Sequence, residues 1–350
     1  TDGTYTQLPA LSATAVKDSR TLTFSTAPTV EEGDVLVLWN PTDGSWNSHR
    51  TNYYAGEYVR VASVSGTTIG LQNALADTYT AASVNVYRLT NFSTLRLQGF
   101  TILGIQNAST FGLSAKFLID SVFQDVRVIG AGNACFSFGN SFNVQLLNCS
   151  AQEDFSAVYG TDYGLSIGNS QNITVIGGYY AASRHGIAIG GNASTGAVVN
   201  RYIHVTEATI LNSGGMTGAD FHGNSEFVTY DNNVIENGIS VGGDNNRVTN
   251  NIFRGNQTIV VYVSEPKGTS LLFEGNYVEL GDIVVANRGA LIDSGGNGFA
   301  IDVNTNRGGN LIIRNNTFNW GLTTNVSNQA IRIYNRGSVP STPTNIYMND

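Results

Sequence analysis

The chain has 350 residues, with 40 Gly, 39 Asn, only 13% charged residues, a net charge of −8 and three lysines, Lys17, Lys116 and Lys267. That composition excludes a basic nucleic-acid binder, which needs clustered positive charge, and a helical bundle, which needs Ala, Glu, Lys and Leu with few glycines. An apolar share of 41% fills a core and excludes disorder, no apolar run reaches the roughly 18 residues of a membrane span, and Thr1–Ala10 carries no leader pattern.

Residues 1–92 read as strands longer than those that follow. Glu32-Gly33-Asp34 precedes Val35-Leu36-Val37-Leu38-Trp39, and Glu57-Tyr58-Val59-Arg60-Val61 runs through a Ser65-Gly66 turn into Thr67-Thr68-Ile69. Val84-Asn85-Val86-Tyr87-Arg88 follows, and Ser45–Tyr54 is a polar, aromatic insertion. We expect 1–92 to form the N-terminal coils and flanking strands of one solenoid, with a separate small β domain as the alternative.

From residue 93 to 350 one pattern recurs, an apolar alternation running into an Asn or Gly corner. It reads Leu95-Arg96-Leu97-Gln98-Gly99-Phe100, then Val144-Gln145-Leu146-Leu147-Asn148-Cys149, Ile173-Thr174-Val175-Ile176-Gly177-Gly178 and Val248-Thr249-Asn250-Asn251-Ile252-Phe253, up to Ile313-Arg314-Asn315-Asn316-Thr317-Phe318. The corners fall near 98, 125, 148, 177, 207, 232, 250, 275, 315 and 349, steps of 18 to 40 residues, which is the period of a stacked repeat. Between them lies a second alternation, Phe136-Ser137-Phe138-Gly139-Asn140, Leu165-Ser166-Ile167-Gly168-Asn169, Ile187-Ala188-Ile189-Gly190-Gly191 and Ile239-Ser240-Val241-Gly242-Gly243. Period-two alternation gives short strands with one buried face, and Asn and Gly accept the left-handed backbone of a sharp corner. Such coils bury their apolar face only by stacking. The fold class is therefore all-β, a right-handed parallel β-helix, with asparagine ladders at the Asn-Asn corners. A β-sandwich is the alternative; its hairpins would recur every 8–12 residues or so with more proline than the six present. The segment Ile346–Asp350 looks like a coil without a cap, so we expect a fragment or an end covered by a partner subunit. Cys135 and Cys149 read as buried free thiols, a disulfide being the alternative.

The anomaly is Gly218-Ala219-Asp220-Phe221-His222-Gly223-Asn224-Ser225, where Asp220 and His222 align with apolar residues of neighbouring coils. Either they form a buried hydrogen-bonded pair or the strand shifts by one residue, burying Ala219 and Phe221. An unpaired buried carboxylate is costly, so the shift is favoured. Aligning the glycines before the strands puts Asp162, Arg184 and Glu236 on one line, with Thr217 between the last two and His185 beside it. Asp162, Arg184, His185, Asp220, His222, Glu226 and Glu236 are thus the candidate catalytic residues on one face. Tyr179, Tyr180, Trp46, Tyr53 and Tyr54 are candidate sugar-stacking aromatics. No cofactor and no structural metal are indicated; Asp154 and Asp162 are the loop carboxylates where a calcium ion could sit.

The segment from Asp220 through Ser225, followed by Val228 to Asn233 and Gly238 to Val241, resembles the central motif of alginate C5-epimerases and related β-helix lyases. It departs at Phe221, where that family has Pro, and at Gly223, where it has an acid. The whole chain is similar to pectin-lyase-like phage tailspike depolymerases in its Gly/Asn/Ser/Thr richness and scarce Lys. That resemblance implies a homotrimer in the phage virion tail acting on bacterial surface polysaccharide. Three readings follow. In the first, an acidic polysaccharide is cleaved by β-elimination, with His222 as base, Arg184 neutralising the uronate, Asp220 orienting His222 and His185 as acid. In the second, Asp220 with Glu226, Asp162 or Glu236, or Glu153-Asp154, supplies the two carboxyls, about 5–9.5 Å apart, of a glycoside hydrolase. In the third, the chain is a non-catalytic glycan-binding tail module.

Overall fold

In a computed structural model of the chain, the structure describes residues 5–46, 53–104, 110–152, 162–191, 195–212, 217–254, 259–266, 270–280, 299–304, 309–320, 329–334 and 344–349. Past residue 93 it is a right-handed parallel β-helix. Three sheets run along it, every strand pairing in parallel with the equivalent strand one coil away. Sheet I extends from Arg96–Gln98 to Thr344–Asn349, sheet II from Thr101–Leu103 to Thr317–Trp320, and sheet III from Phe111–Lys116 to Gln329–Tyr334. No helix among the described residues is long and apolar enough to cross a membrane.

The corners sit where the repeat put them. Gly99, Asp125, Asn148, Gly177, Glu207, Asn232, Asn250, Gly275 and Asn315 all take positive φ between sheets I and II. A single left-handed residue turns the chain sharply, and Asn, Asp and Gly reach that conformation at least cost. From Val126 onward the residue after the corner is buried or half-buried, and there the amide ladder forms. Asn233 Nδ2 donates to Asn251 Oδ1 (3.0 Å), Asn251 Nδ2 to Asn276 Oδ1 (3.1 Å) and Asn276 Nδ2 to Asn316 Oδ1 (3.0 Å). Cys149 fills the same place one stretch earlier; both cysteines are buried and neither is in a disulfide.

Inward columns such as Phe138–Ile167–Ile189–Phe221–Val241 form one continuous core. Each coil contributes too little apolar surface to be stable alone, so burial is shared between rungs.

Residues 5–89 differ from the expected N-terminal coils. Their strands are β1 Tyr5–Gln7, β2 Thr21–Thr23, β3 Val35–Asn40, β4 Ala55–Ser65, β5 Thr68–Leu71 and β6 Asn85–Leu89. They form an antiparallel sheet in the order β1-β6-β3-β4-β5-β2. The Ser65-Gly66 turn is the reason: a tight turn returns the chain antiparallel, whereas a parallel neighbour needs a long crossover. One face of this sheet closes a core of its own around Phe24, Leu36 and Tyr79, while Val35, Val37, Tyr58 and Leu89 pack on Phe117, Phe142 and Val198 of the β-helix. Arg60 adds an ion pair to Asp120 at 2.7 Å.

Candidate functional site

The site lies on the outer face of sheet III. The strand Ala219–Phe221 pairs Ala188 with Asp220 and Asp220 with Ser240, in the register that buries Ala219 and Phe221 completely and turns Asp220 outward. The ring of Phe221 stacks on Tyr230 in the core, at 5.7 Å between centroids. A one-residue slip would exchange the faces, so the packing of Phe221 fixes the direction of Asp220. His222 continues the outward run, its amide donating to the Ile189 carbonyl at 2.9 Å.

Asp220 stands between two histidines. Its Oδ2 is 3.0 Å from His222 Nε2 and 3.8 Å from His185 Nε2. Burial pushes its carboxyl up, but His185 and the hydrogen bond from His222 outweigh this and hold Asp220 below the usual carboxylate range. His185 is buried, and desolvation lowers its pKa against the pull of Asp220. Its Nδ1 is 2.7 Å from the carbonyl of Thr217, an acceptor only, so Nδ1 carries a proton and donates it there. Tyr163 stacks on His185 at 6.0 Å, and the Arg184 guanidinium lies 5.3 Å above the other partner of that stack, the Tyr163 ring. His222 Nδ1 is 2.9 Å from the hydroxyl of Tyr53, a residue that precedes β4 in the N-terminal domain.

A groove runs along the helix axis toward this cluster, lined among others by Lys116, Ser137, Tyr163, Gly168, Gly190 and His222. Its floor is a column in register, Lys116–Gly139–Gly168–Gly190, with Ser137–Ser166–Ala188–Asp220 beside it. The glycines leave the backbone bare. A Cβ on Gly190 would come within 3.1 Å of His222 Nδ1, whereas one on Gly168 would meet nothing closer than 3.7 Å.

The remaining expected residues lie elsewhere. Glu226 belongs to Ser225–Glu226, which pairs with sheet I, and its carboxylate is bound by Arg201 at 2.6 Å. Glu236, at the end of a sheet II strand, pairs with Arg254 at 3.2 Å. Asp162 is fully buried, accepting from Ser183 Oγ at 2.6 Å, and its backbone carbonyl accepts from the amides of Arg184 and His185. Glu153 and Asp154 lie outside the described residues. Three of the aromatics are not exposed stacking platforms. Tyr180 alternates into the core, Trp46 covers Arg201, and Tyr53 is buried against His222. Tyr179 is exposed on sheet II, away from sheet III, and half-buried Tyr54 packs edge-on against Trp39.

Arg201 was not among the expected residues. It is fully buried between the domains, with Nε on Glu226, Nη1 on the Gly56 carbonyl (2.9 Å), Nη2 on Asp77 and its guanidinium 5.4 Å over Trp46. The signal was present, since Arg201 stands in register with Phe142 and Gln171, a column of buried side chains. Tyr163 and the glycine floor were legible too, as the residue after Asp162 and as the glycine that ends each apolar-x-apolar strand, Gly139, Gly168 and Gly190.

Comparison with known proteins places these features. The family model described as Gp49, pectin lyase-like, matches residues 131–346, and that of the tailspike protein-like, Ig-like domain matches residues 1–89. Three similar solved structures are each 24% identical. They are the tailspike gp49 of Pseudomonas phage LKA1 (TM-score 0.76, covering 98% of this chain and 65% of that one), Gp54 of Acinetobacter baumannii bacteriophage AP22 with a capsular saccharide (0.79, 99% and 56%) and gp61 of Pseudomonas phage phi297 (0.66, 99% and 62%). At that identity the likeness is one of fold, and the chain spans less than two thirds of each of these proteins. None of the curated proteins matches the chain.

Proposed function

The chain belongs to the Gp49 pectin lyase-like family, and from that premise we propose that it is part of a phage tail protein, a depolymerase that cleaves an acidic surface polysaccharide by β-elimination. The observation that carries this is Asp220 held between His185 and His222 at the end of the groove. Among the described candidates it is the one carboxylate in that cluster, since Glu226, Glu236 and Asp162 are engaged by Arg201, Arg254 and Ser183. Hydrolysis uses two carboxyls across the scissile bond; elimination uses a base, a cationic or donor group for the carboxylate, and an acid.

His222, the histidine that lines the groove, takes the proton from the carbon next to the uronate carboxyl. Asp220, ionised, receives the Nε2–H, which leaves the lone pair on Nδ1 beside Gly190; there the substrate proton replaces the hydrogen bond to the Tyr53 hydroxyl, which turns away. Arg184, on the Tyr163 ring, neutralises the uronate and the enolate that develops as the C–H bond breaks. The electron pair then forms the new double bond and expels the glycosidic oxygen. That oxygen takes up a proton from solvent, because the Nδ1–H of buried His185 is held by the Thr217 carbonyl and its Nε2 faces Asp220.

Support for a polysaccharide comes from the groove, open along the axis and floored by bare backbone, and from the AP22 tailspike, whose structure holds a capsular saccharide. We further propose a homotrimer on the virion, which sedimentation of the purified protein checks. The test of the reaction is digestion of acidic bacterial polysaccharides with products read by ultraviolet absorbance and mass. An unsaturated terminal sugar supports elimination; a new reducing end without it refutes the reading, and binding without cleavage leaves a tail-adhesion module.

A further inference from the structure

We propose that Lys116 is an anion subsite at the end of the groove remote from Asp220, where it takes an acidic group of the bound polysaccharide about three or four sugars away from the sugar at the cluster. This rests on the reading of the groove as a polysaccharide site, and not on which residue moves a proton. Lys116 ends the strand Phe111–Lys116 and stands in register with Gly139, Gly168 and Gly190, the last of which lies against His222. Its stem leans along the groove, since a Cβ on Gly139 would lie 3.5 Å from Lys116 Cγ. Among the described residues no aspartate or glutamate lines the groove, although the chain has 26 acids against 18 lysines and arginines. Between its ends the groove offers hydroxyls such as Ser137 and Ser166 and bare glycine backbone.

Elsewhere the chain matches its cations. Arg60, Arg88, Arg201, Arg254 and Arg314 each face a carboxylate. Lys116 is exposed, and no carboxylate among the described residues forms an ion pair with it. An ammonium on a flexible stem is a point charge with three rotatable donors, suited to an anion whose exact place varies with the sugar that bears it. A glycan lying in the groove would displace water from that ammonium, and an ion pair shielded in this way is stronger than one at the free surface. Rungs repeat about every 4.8 Å, so the four rungs from Lys116 to His222 span about 19 Å, and the lean over Gly139 shortens the reach to about 14 Å. A pyranose in an extended glycan advances about as far as one rung. The polymer that fits therefore carries an acid on every third or fourth sugar, or on all of them.

The chain has three lysines, which makes the test direct. Reductive ¹³C-methylation of the full chain keeps their charge and gives separate signals for Lys17, Lys116 and Lys267, the Lys116 signal being the one lost in Lys116→Gln. The probes are hexamers of galacturonate and of mannuronate, each with its fully methyl-esterified form, which has the same rings without the charge. We expect at least one acid hexamer to shift the Lys116 signal to saturation while that of Lys17, in the turn before β2, stays in place, and the esters to leave both unmoved. The Kd for that hexamer should rise about 3- to 10-fold in Lys116→Gln, as for one lost charged contact, and stay within about twofold of wild type in Lys116→Arg, which restores the cation. Lys116 is exposed, so neither variant disturbs the core. A Lys116 signal unmoved by both acids, one moved equally by the esters, or an unchanged Kd in Lys116→Gln overturns the proposal. Neither readout needs turnover. A polymer that shifts Lys116 but yields no unsaturated product refutes elimination and leaves the subsite standing, whereas unsaturated product with an unmoved Lys116 refutes the subsite alone.

Discussion

Asp220→Asn is the sharpest perturbation of the proposed chemistry. The amide is nearly isosteric and Phe221 and Ala219 still fix the strand register, so the backbone stays in place. Two things change. The acceptor 3.0 Å from His222 Nε2 loses its charge, and the asparagine can present its NH₂ there, which would move the imidazole proton to Nδ1, the atom meant to receive the substrate proton. Where an Asp–His pair is converted to the amide with the wrong tautomer, kcat falls by up to about 10⁴; we expect about 10²–10⁴ here, or roughly 3–5.5 kcal/mol in the barrier. Initial rates of unsaturated product at neutral pH measure it, with KM a secondary readout. Stability supplies the control. The folded-state pKa of Asp220 is depressed, so its charge contributes stability that is present above the unfolded value of about 3.9 and is lost as the pH falls through the folded value. Asp220→Asn should therefore melt a few degrees below wild type at about pH 7, and the gap should close in acid. A variant that keeps wild-type rates within about threefold, a difference under 1 kcal/mol, would refute the role given to Asp220.

Arg201→Met leaves Glu226, Asp77 and Glu57 without their cation. Removing one partner of a buried pair costs about 3–5 kcal/mol, roughly 4–7 °C for a cooperative unit of this length, read by calorimetry. Burial already raises the Glu57 carboxyl, and without Arg201 it rises further, so the deficit should be largest where Glu57 is ionised and shrink as the pH falls and Glu57 protonates. Gly168→Val keeps a strand-compatible backbone with room for its Cβ and places methyls on the groove floor; we expect KM to rise about 10-fold or more with Tm within about 2 °C, since the change is in binding and not packing. Asn251→Ala removes the acceptor of the Asn233 amide (2.9 Å) and the donor to the Tyr230 carbonyl (2.9 Å); two orphaned buried groups cost about 2–5 kcal/mol, measured as a lower urea midpoint.

The β-helix was legible because its period is written in residue chemistry. Asn, Asp and Gly at the corners are the residues that reach positive φ cheaply, and Ile-x-Ile alternation has one buried face whatever coil it belongs to. The same logic flagged Asp220 and His222, since a carboxylate and an imidazole at an apolar column violate it. Glu226 and Glu236 misled because aligning strands by their glycines ignores the corner between, and one corner moved Glu226 into sheet I beside Arg201. Tyr180 and Trp46 misled because an aromatic on a strand looks the same whether its parity faces solvent or core.

What the sequence alone determined was therefore periodic: strand length, corner chemistry and the identity of the residue that breaks the pattern. The remainder is non-local. The antiparallel pairing of residues 5–89, the docking of that sheet on Phe117 and Phe142, and the approach of Tyr53 to His222 across 169 residues leave no period in the chain. They depend on which surfaces of the antiparallel sheet and the β-helix fit, and on a buried arginine whose three acceptors come from both of them.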